Sequence, residues 1–303
     1  MPAFPSGPEL MSTRTVGAAL DAPTQDVAVA RVSALHVYPV KALAGVALDA
    51  ARVDDLGLTP DRRWMLVDAD GRALTQREVP ALVRLATALL GDGGVRVTAP
   101  DGSTRELHAA PPDARRRLVR LFGDVIEAAT SDAATDAWFA RHVGVPCALV
   151  HLPGDVVRPV DPDYAEPEDR AAFSDGYPVL VASEASLADL NARLVARGAA
   201  PVTMARFRPN VVLAGDALAA FAEDDWRALR LGDGDRAVTL RLVKPCARCV
   251  VTTVDPATGA TGREPLRTLA EYRRRGSKVL FAQNALVRAG GTVRVGDAAI
   301  VTA

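Results

Sequence analysis

The sequence has few lysines, few cysteines and almost no net charge. All but three of its 36 basic residues are arginine, and 37 acidic residues leave a formal charge of −1. This balance excludes the strongly basic composition of a dedicated nucleic-acid-binding protein. No apolar run approaches the roughly 18 residues that a membrane-spanning helix needs, so we expect no membrane partner. Three cysteines do not make a disulfide framework, which favours a reducing, cytoplasmic compartment. The scarce residues are Lys41, Lys244, Lys278, Cys147, Cys246 and Cys249.

The chain is long enough to bury a substantial core. It has 303 residues, of which 49% are hydrophobic, and this length fits one large domain or two of ordinary size. The N-terminal segment is rich in proline, glycine, alanine and serine, and it lacks the basic stretch and apolar core of a secretory signal. We therefore predict that residues 1–29 are disordered.

The first half carries the pattern of an antiparallel β structure. Short apolar runs between residues 31 and 107 flank the turn pairs Asp70-Gly71 and Asp101-Gly102, which are typical hairpin signals. Strands joined by tight turns favour an antiparallel sheet or barrel over a doubly wound fold. A helix is predicted over residues 132–143, with Gly144 as its C-terminal stop.

A polar segment separates the two halves of the chain. Residues 152–170 contain four prolines and six acidic residues, which predicts a surface loop and a domain boundary. We therefore predict an α+β chain, predominantly antiparallel β, with a β-barrel-like domain over 30–150 and a second domain over 151–303.

Helices and strands also alternate in the second half. A helix begins at Ser183 or Ser186 and carries an apolar stripe that extends to Val195. A second helix is predicted from Pro265 to a stop at Gly276. Several strands with Gly-Asp turns lie between these helices, and the chain closes with a hairpin.

The segment Lys244-Pro-Cys-Ala-Arg-Cys249 is the sharpest feature of the sequence. A structural zinc site needs about four ligands, and neither the third cysteine nor the four histidines supply them at a suitable spacing. A thioredoxin-type pair opens a helix, whereas the β-branched run 250–254 predicts a strand. A disulfide would have little purpose in a reducing compartment.

Buried, inert cysteines remain an alternative reading of the pair. This reading is stronger for Cys246 than for Cys249, because Lys244 and Arg248 flank the pair and nearby cations favour the metal-binding thiolate form. The segment from Arg241 to Lys278 contains nine basic and three acidic residues. Such a cationic patch suits an anionic, phosphate-bearing cofactor. Three of its arginines, Arg273, Arg274 and Arg275, read instead as the solvated face of a helix.

Five separated motifs resemble one protein family. Residues 244–259 (KPCARCVVTTVDPATG), with FRPN at 207–210 and FAQN at 281–284, resemble the MOSC domain, the C-terminal domain of molybdenum cofactor sulfurases. Residues 38–45 (YPVKALAG) and 61–68 (DRRWMLVD) resemble the β-barrel domain that precedes it. The order is that of the amidoxime-reducing components and their bacterial relatives. The resemblance implies an N-terminal MOSC β-barrel domain followed by a β-barrel MOSC domain with flanking helices.

The resemblance also implies a cofactor and its ligands. These proteins bind a molybdenum–molybdopterin cofactor, and Cys249 falls at the position of the protein thiolate that ligates the metal, which makes it the catalytic residue. Cys246 has no assigned role, and Ala42 stands where eukaryotic relatives carry serine. The remaining cofactor-binding positions implied by the motifs are Lys41, Arg62, Arg208, Asn210, Arg248, Thr252 and Thr253.

Three functions are compatible with the resemblance. The first is an oxidoreductase that reduces N-hydroxylated compounds with electrons from a separate flavin, haem or iron–sulfur reductase. The second is a carrier of the cofactor, or of sulfur as a persulfide on Cys249, supplied by a cysteine desulfurase that depends on pyridoxal phosphate. The third is a binding module that has lost the cofactor. The N-terminal domain with Lys41 and Arg62 favours the first.

Overall fold

The computed structural model describes residues 28–302, and most of the regular elements in this part of the chain are β-strands. The strands are β1 (Ala28–Val37), β2 (Val46–Leu48), β3 (Ala50–Asp54), β4 (Gly57–Leu58), β5 (Trp64–Val67), β6 (Ala86–Leu89), β7 (Val95–Thr98), β8 (Thr104–Leu107), β9 (Arg116–Leu121), β10 (Asp124–Thr130), β11 (Ala148–His151), β12 (Val179–Ser183), β13 (Val211–Ala214), β14 (Ala228–Leu231), β15 (Val238–Arg248), β16 (Arg274–Arg275), β17 (Lys278–Ala289), β18 (Gly291–Arg294) and β19 (Ala298–Thr302). The α-helices of this part are α1 (Ala133–Val143), α2 (Glu184–Ala196) and α3 (Leu266–Tyr272).

Seven strands close into a barrel. Their order is β12-β13-β1-β19-β14-β15-β17, and β17 pairs with β12 to complete the circle. Only the β12–β13 pair is parallel among these strands. Alternate side chains point inward, as in Val238, Leu240 and Leu242 of β15, and form one apolar core. The barrel therefore confirms the predicted antiparallel architecture of the second half.

A second, open set of sheets packs beside the barrel. Strands β5, β11, β10 and β9 form an antiparallel sheet, and β6, β7 and β8 form a smaller one. Helix α1 buries Phe139 in a core that also contains Trp64 and Leu82. This half-barrel, together with the closed barrel, confirms the predicted fold class of two barrel-like parts with flanking helices.

The N-terminal part contributes strand β1 to the barrel of the C-terminal part, and its strand β3 pairs with a C-terminal strand outside the barrel. Strand β1 lies between β13 and β19, and β3 pairs with β18. The division at about residue 150 therefore stays a prediction. The predicted disorder of residues 1–29 lies almost wholly outside the described residues, and Ala28 and Val29 begin β1.

The predicted helix ends are confirmed where side chains or glycine satisfy the backbone. The Asp132 carboxylate accepts a hydrogen bond from the Thr135 amide of α1, and Gly144 ends the helix at φ 82°. The Ser183 hydroxyl accepts from the Ser186 amide and caps α2. Val195 does not belong to the apolar stripe of α2, because its side chain is exposed.

Two local predictions are wrong. Residues 250–253 form a 3-10 helix and not a strand, because the Thr252 and Thr253 hydroxyls donate to backbone carbonyls three residues earlier. This short turn follows the cysteine pair, and it is not the α-helix that a thioredoxin-type site requires. The last predicted helix ends at Tyr272, since Arg274–Arg275 pair with β17 around Gly276 at φ 58°.

None of the helices formed by residues 28–302 combines the length and the apolar character that crossing a membrane requires.

Candidate functional site

A cavity lies between the closed barrel and the N-terminal sheets. Its wall combines the turn after β1, the segments before β5 and β13, and the end of β15. The structure brings seven of the eight predicted site residues to this wall. They are Lys41, Arg62, Arg208, Asn210, Arg248, Cys249 and Thr252.

Two arginines of the wall flank one buried tyrosine. The guanidinium carbons of Arg62 and Arg208 lie 4.3 and 4.0 Å from the centroid of the Tyr38 ring. Both arginines have positive φ angles, 47° and 55°, which are uncommon for residues with a side chain. The Tyr38 hydroxyl donates to the Pro209 carbonyl at 3.2 Å. The aromatic face therefore brings two like charges together at moderate cost.

Carboxylate and carbonyl groups hold Arg62 in place. Its guanidinium donates to Asp61 at 2.5 Å and to the Arg208 carbonyl at 3.2 Å. Arg63, its neighbour in sequence, pairs with Asp54 and does not line the cavity. Of these two adjacent arginines, Arg62, the one that the motif resemblance implies, is the residue that reaches the wall.

Two buried guanidinium nitrogens at the wall have no protein partner. Arg208 donates from one nitrogen to the Leu43 carbonyl, and Arg248 donates to the Phe281 and Phe207 carbonyls. The second terminal nitrogens, Nη2 of each arginine, are buried without a hydrogen bond. Burial lowers the pKa of Arg208 to about 10. An unpaired buried donor costs about 1–3 kcal/mol, so both nitrogens favour an anion in the cavity.

Lys41 and Asp175 form an ion pair at the wall. The Lys41 ammonium is buried and donates to Asp175 at 2.5 Å and to the Phe173 carbonyl at 2.9 Å. Burial lowers the pKa of Lys41, and Asp175 opposes that shift. The Asp175 side chain is 74% exposed, and the Lys41, Arg62 and Arg77 charges hold the pKa of its carboxyl well below the usual range. Asp175 is therefore an anion at neutral pH.

Cys249 lies at the point where β15 ends. Its carbonyl accepts from the Thr252 amide at 3.1 Å and the Thr252 hydroxyl at 3.0 Å, so the following 3-10 turn fixes its backbone. A side-chain hydrogen bond to Cys249 raises the pKa of Arg77. The thiol is half-buried and free. It is therefore an accessible ligand next to a cation.

The other cysteine of the motif has a more apolar environment. Cys246 packs beside a buried cluster that contains Leu269 and Phe281, and burial raises its pKa. Cys246 also lines the cavity. The inert reading is therefore better supported for Cys246 than for Cys249.

The amide of Asn210 is already engaged within the protein. Its Oδ1 accepts from the Leu180 amide at 3.1 Å and from Arg62 at 3.4 Å, while Nδ2 donates to the His36 carbonyl at 3.2 Å. These contacts tie β13 to β12 and β1. They also orient the Arg62 guanidinium at the wall.

Thr253 is the one predicted site residue that the structure does not place on the wall. Its hydroxyl donates to the Val250 carbonyl at 2.8 Å, and its own carbonyl accepts from Arg206 at 2.9 Å. Arg206 lines the cavity. Thr253 thus contacts a wall residue through its backbone.

Four of the nine basic residues in the predicted cationic patch of residues 241–278 pair with acidic residues. Lys244 donates to Asp161 at 3.1 Å, and Arg241 lies 3.6 Å from Glu166, so acidic residues of the 152–170 loop cover this side. Arg273 pairs with Asp224 at 2.7 Å and is largely buried, which corrects its reading as a solvated residue. The net charge of residues 241–278 was a poor guide to the charge of this surface, because it does not count the acidic residues from other segments that pack against it in the fold.

The cations of the wall come instead from separate segments. Among residues 28–302, six basic side chains and one acidic side chain line the cavity. The sequence motifs indicated four of the basic residues and missed Arg77, Arg206 and the acidic Asp175. The FSDGYP segment, which reads as a turn, supplies Asp175. Arg206 precedes the FRPN motif by one residue, which is the only signal that could have found it.

Comparison with known proteins places the chain in a family. Residues 29–146 match the MOSC N-terminal beta barrel domain, and residues 168–299 match the MOSC domain. The chain therefore belongs to the MOSC family, in the form that carries an N-terminal β-barrel domain.

Its curated relatives include amidoxime-reducing components. Mitochondrial amidoxime-reducing component 1 of Homo sapiens is 36% identical over 290 residues, covering 89% of this chain and 82% of the relative. The Xenopus laevis protein of the same name is 35% identical over 286 residues, covering 88% and 80%. Molybdenum cofactor sulfurase of Oryza sativa subsp. japonica is 30% identical over 267 residues, which are 82% of this chain and 32% of that protein.

Proposed function

We propose that the protein is a molybdenum-cofactor-binding oxidoreductase that reduces N-hydroxylated compounds with electrons from a separate reductase. The observation that carries the proposal is the pair of unpartnered buried nitrogens on Arg208 and Arg248, in the same cavity as the Cys249 thiol. The amidoxime-reducing names of its relatives support the choice of reaction.

The residues present fit a phosphate-bearing cofactor. Phosphate is an anion with several acceptor oxygens, and planar guanidinium forks bind such oxygens with two hydrogen bonds. Arg208 and Arg248 each have a free, buried nitrogen for this purpose. The Ser174 hydroxyl at the same wall is also buried without a partner. The cavity therefore has donors in excess, which a phosphate and a pterin ring can satisfy.

The residues also fit a metal whose other ligands come from the cofactor. No group of three or more histidine, cysteine or acidic side chains among residues 28–302 is arranged to hold a metal ion. A single thiolate suits a metal that is otherwise coordinated by the sulfurs of a dithiolene. Cys249 is the residue that would supply this thiolate.

Each remaining predicted residue then has a task. Arg62 and Lys41 would bind the anionic parts of the cofactor, and Asn210 would orient Arg62. Thr252 would hold the backbone of Cys249, and Thr253 would hold Arg206 through its carbonyl. When bound, the cofactor would supply the two-electron chemistry that cleaves an N–O bond.

Asp175 and Arg77 would act on the substrate side of Cys249. Asp175 is ionised at neutral pH and can accept hydrogen bonds from N–H and O–H groups. Arg77 lines the cavity together with Cys249, and its guanidinium can donate hydrogen bonds to an anionic or oxygen-bearing group there.

A carrier of the cofactor, or of sulfur on Cys249, is the second candidate. The match to a molybdenum cofactor sulfurase and the accessible thiol favour it. A pyridoxal-phosphate-dependent desulfurase would then be the partner. The N-terminal part of the chain weighs against this function, because its residues Lys41 and Arg62 line the cavity. A protein that only carries the cofactor or sulfur has less need of a second domain at this site.

The test is the molybdenum and pterin content of the purified protein, expressed in a host that makes the cofactor. We expect stoichiometric molybdenum in the wild-type protein and in Cys147→Ser, and a lower molybdenum content in Cys249→Ser. The rate of benzamidoxime reduction with an artificial electron donor should be proportional to the molybdenum content of each variant. Metal-free protein that carries labile sulfur would support the carrier, and protein without metal or labile sulfur would contradict both functions.

A further inference from the structure

An aromatic side chain lies at the cavity without belonging to any core. Phe122 lines the cavity, and 51% of its surface is exposed. It sits in the two-residue connection between β9 and β10, where Leu121 pairs with Asp124. A large apolar side chain gains little stability in this position, so its presence calls for another explanation.

The backbone of Phe122 is strained. Its φ angle is 55°, in the left-handed region that residues with a side chain rarely adopt. Glycine, asparagine and aspartate are the usual residues at the first position of a two-residue hairpin when φ is positive there. In this hairpin the glycine, Gly123, comes second. Strain of this kind is concentrated at binding and catalytic sites.

Two cations of the cavity hold the Phe122 ring. The Lys41 ammonium lies 5.4 Å and the Arg77 guanidinium carbon 5.3 Å from the ring centroid. Both distances permit cation–π attraction. Cys249 lines the same cavity as Phe122 and Arg77, so the ring and the proposed metal ligand share one wall. The ring therefore lies beside the place where a substrate would react.

We propose that Phe122 is a stacking platform that selects planar aromatic N-hydroxylated substrates over aliphatic ones. This inference rests on the proposed function and adds the residue that determines specificity. An aromatic ring stacks on the flat face of an aromatic substrate and gains much less from a methyl group. The neighbouring Leu118 and Val125 are also exposed on this hairpin, but they do not line the cavity. They are the matched controls.

The test compares benzamidoxime with acetamidoxime. We expect Phe122→Ala to lower the ratio of their kcat/KM values about tenfold, the effect of losing one aromatic contact. Phe122→Tyr should keep the ratio, because it keeps the ring. Leu118→Ala should also keep it. An unchanged ratio in Phe122→Ala would overturn the proposal, and equal losses in Leu118→Ala would point to a contact surface for another protein.

Binding without turnover separates this inference from the proposed function. Calorimetric titration of benzamidoxime into the cofactor-loaded protein, with no electron donor present, should give a Kd about tenfold weaker in Phe122→Ala. If the wild-type protein reduces neither compound, the proposed reaction fails while the titration still decides the role of Phe122.

A glycine variant separates binding from folding. Glycine adopts a φ of 55° without strain, so Phe122→Gly should unfold at the same or a higher temperature than the wild-type protein. It should nevertheless lose the preference for benzamidoxime. A lower unfolding temperature together with a retained preference would show that Phe122 is structural.

Discussion

At the scale of single residues, Tyr38 explains how the cavity tolerates its charge. Arg62 and Arg208 both contact its ring, and the hydroxyl is anchored to the Pro209 carbonyl. Burial raises the pKa of Tyr38 to about 12, so the hydroxyl stays neutral and keeps donating at physiological pH. The ring face attracts both guanidinium groups without adding a charge of its own.

Replacing Tyr38 should therefore weaken anion binding, although Tyr38 is buried and acts only by positioning Arg62 and Arg208 through its ring. We expect Tyr38→Leu to reduce pterin content and to weaken pyrophosphate binding to the cofactor-free protein about tenfold, a loss of roughly 1.4 kcal/mol from two cation–π contacts. Isothermal titration at low salt measures the affinity. Tyr38→Phe is the control, since it keeps the ring and loses one hydrogen bond. Equal affinities in Tyr38→Leu and wild type would refute this role.

At the scale of elements, a buried carboxylate from the segment after β13 packs against the N-terminus of α2. Glu223 is fully buried and accepts hydrogen bonds from the Ser186 and Ser183 hydroxyls at 2.7 and 3.0 Å. Burial raises its pKa above the ordinary 4.5, and the neighbouring Asp224 charge acts in the same direction. The folded protein therefore holds the Glu223 proton to a higher pH than the unfolded chain does.

This raised pKa fixes the sign of a pH dependence. The contribution of Glu223 to stability is fully present below its unfolded pKa and is lost as the pH rises through its folded pKa. We expect the stability of Glu223→Gln relative to wild type to rise with pH above 4.5, the ordinary pKa of the glutamate carboxyl. Urea unfolding at several pH values measures the difference in the free energy of unfolding. A difference that does not vary with pH would contradict the raised pKa.

The local elements that the sequence predicted are those whose signals lie within a few residues. The Asp132 cap, the Gly144 stop and the Asp101-Gly102 hairpin need only neighbouring residues, and the structure confirms them. The 3-10 turn at Val250–Thr253 was missed because β-branched residues favour strands on average. There the threonine hydroxyls bond to nearby carbonyls and override that preference.

At the scale of the whole molecule, the candidate site exists only because distant segments meet. Arg77 and Phe122 come from the N-terminal sheets, whereas Arg208 and Cys249 come from segments that adjoin the closed barrel. Motif resemblance indicated the wall residues that lie within the five motif segments. It missed Arg77, Asp175 and Phe122, because their positions at the wall depend on how the sheets pack and not on a local pattern.

The packing of distant segments also explains why the net charge of residues 241–278 did not predict where the cations of the cavity come from. Lys244 and Arg241 face acids of the 152–170 loop, although the sequence separates the two groups by about eighty residues. The cations that do line the cavity pair with few carboxylates. Their unpaired nitrogens, on Arg208 and Arg248, are the feature that most directly supports a phosphate-bearing cofactor.

The proposed function requires Cys249 to be the protein ligand of a molybdenum ion. Molybdenum K-edge X-ray absorption of the cofactor-loaded protein tests it most directly, since the spectrum reports the number of sulfur atoms bound to the metal. Wild-type protein and Cys249→Ser, each loaded with the cofactor in vitro, are compared. We expect one sulfur fewer in Cys249→Ser and no change in Cys246→Ser. The same number of sulfurs in Cys249→Ser as in wild type would contradict it.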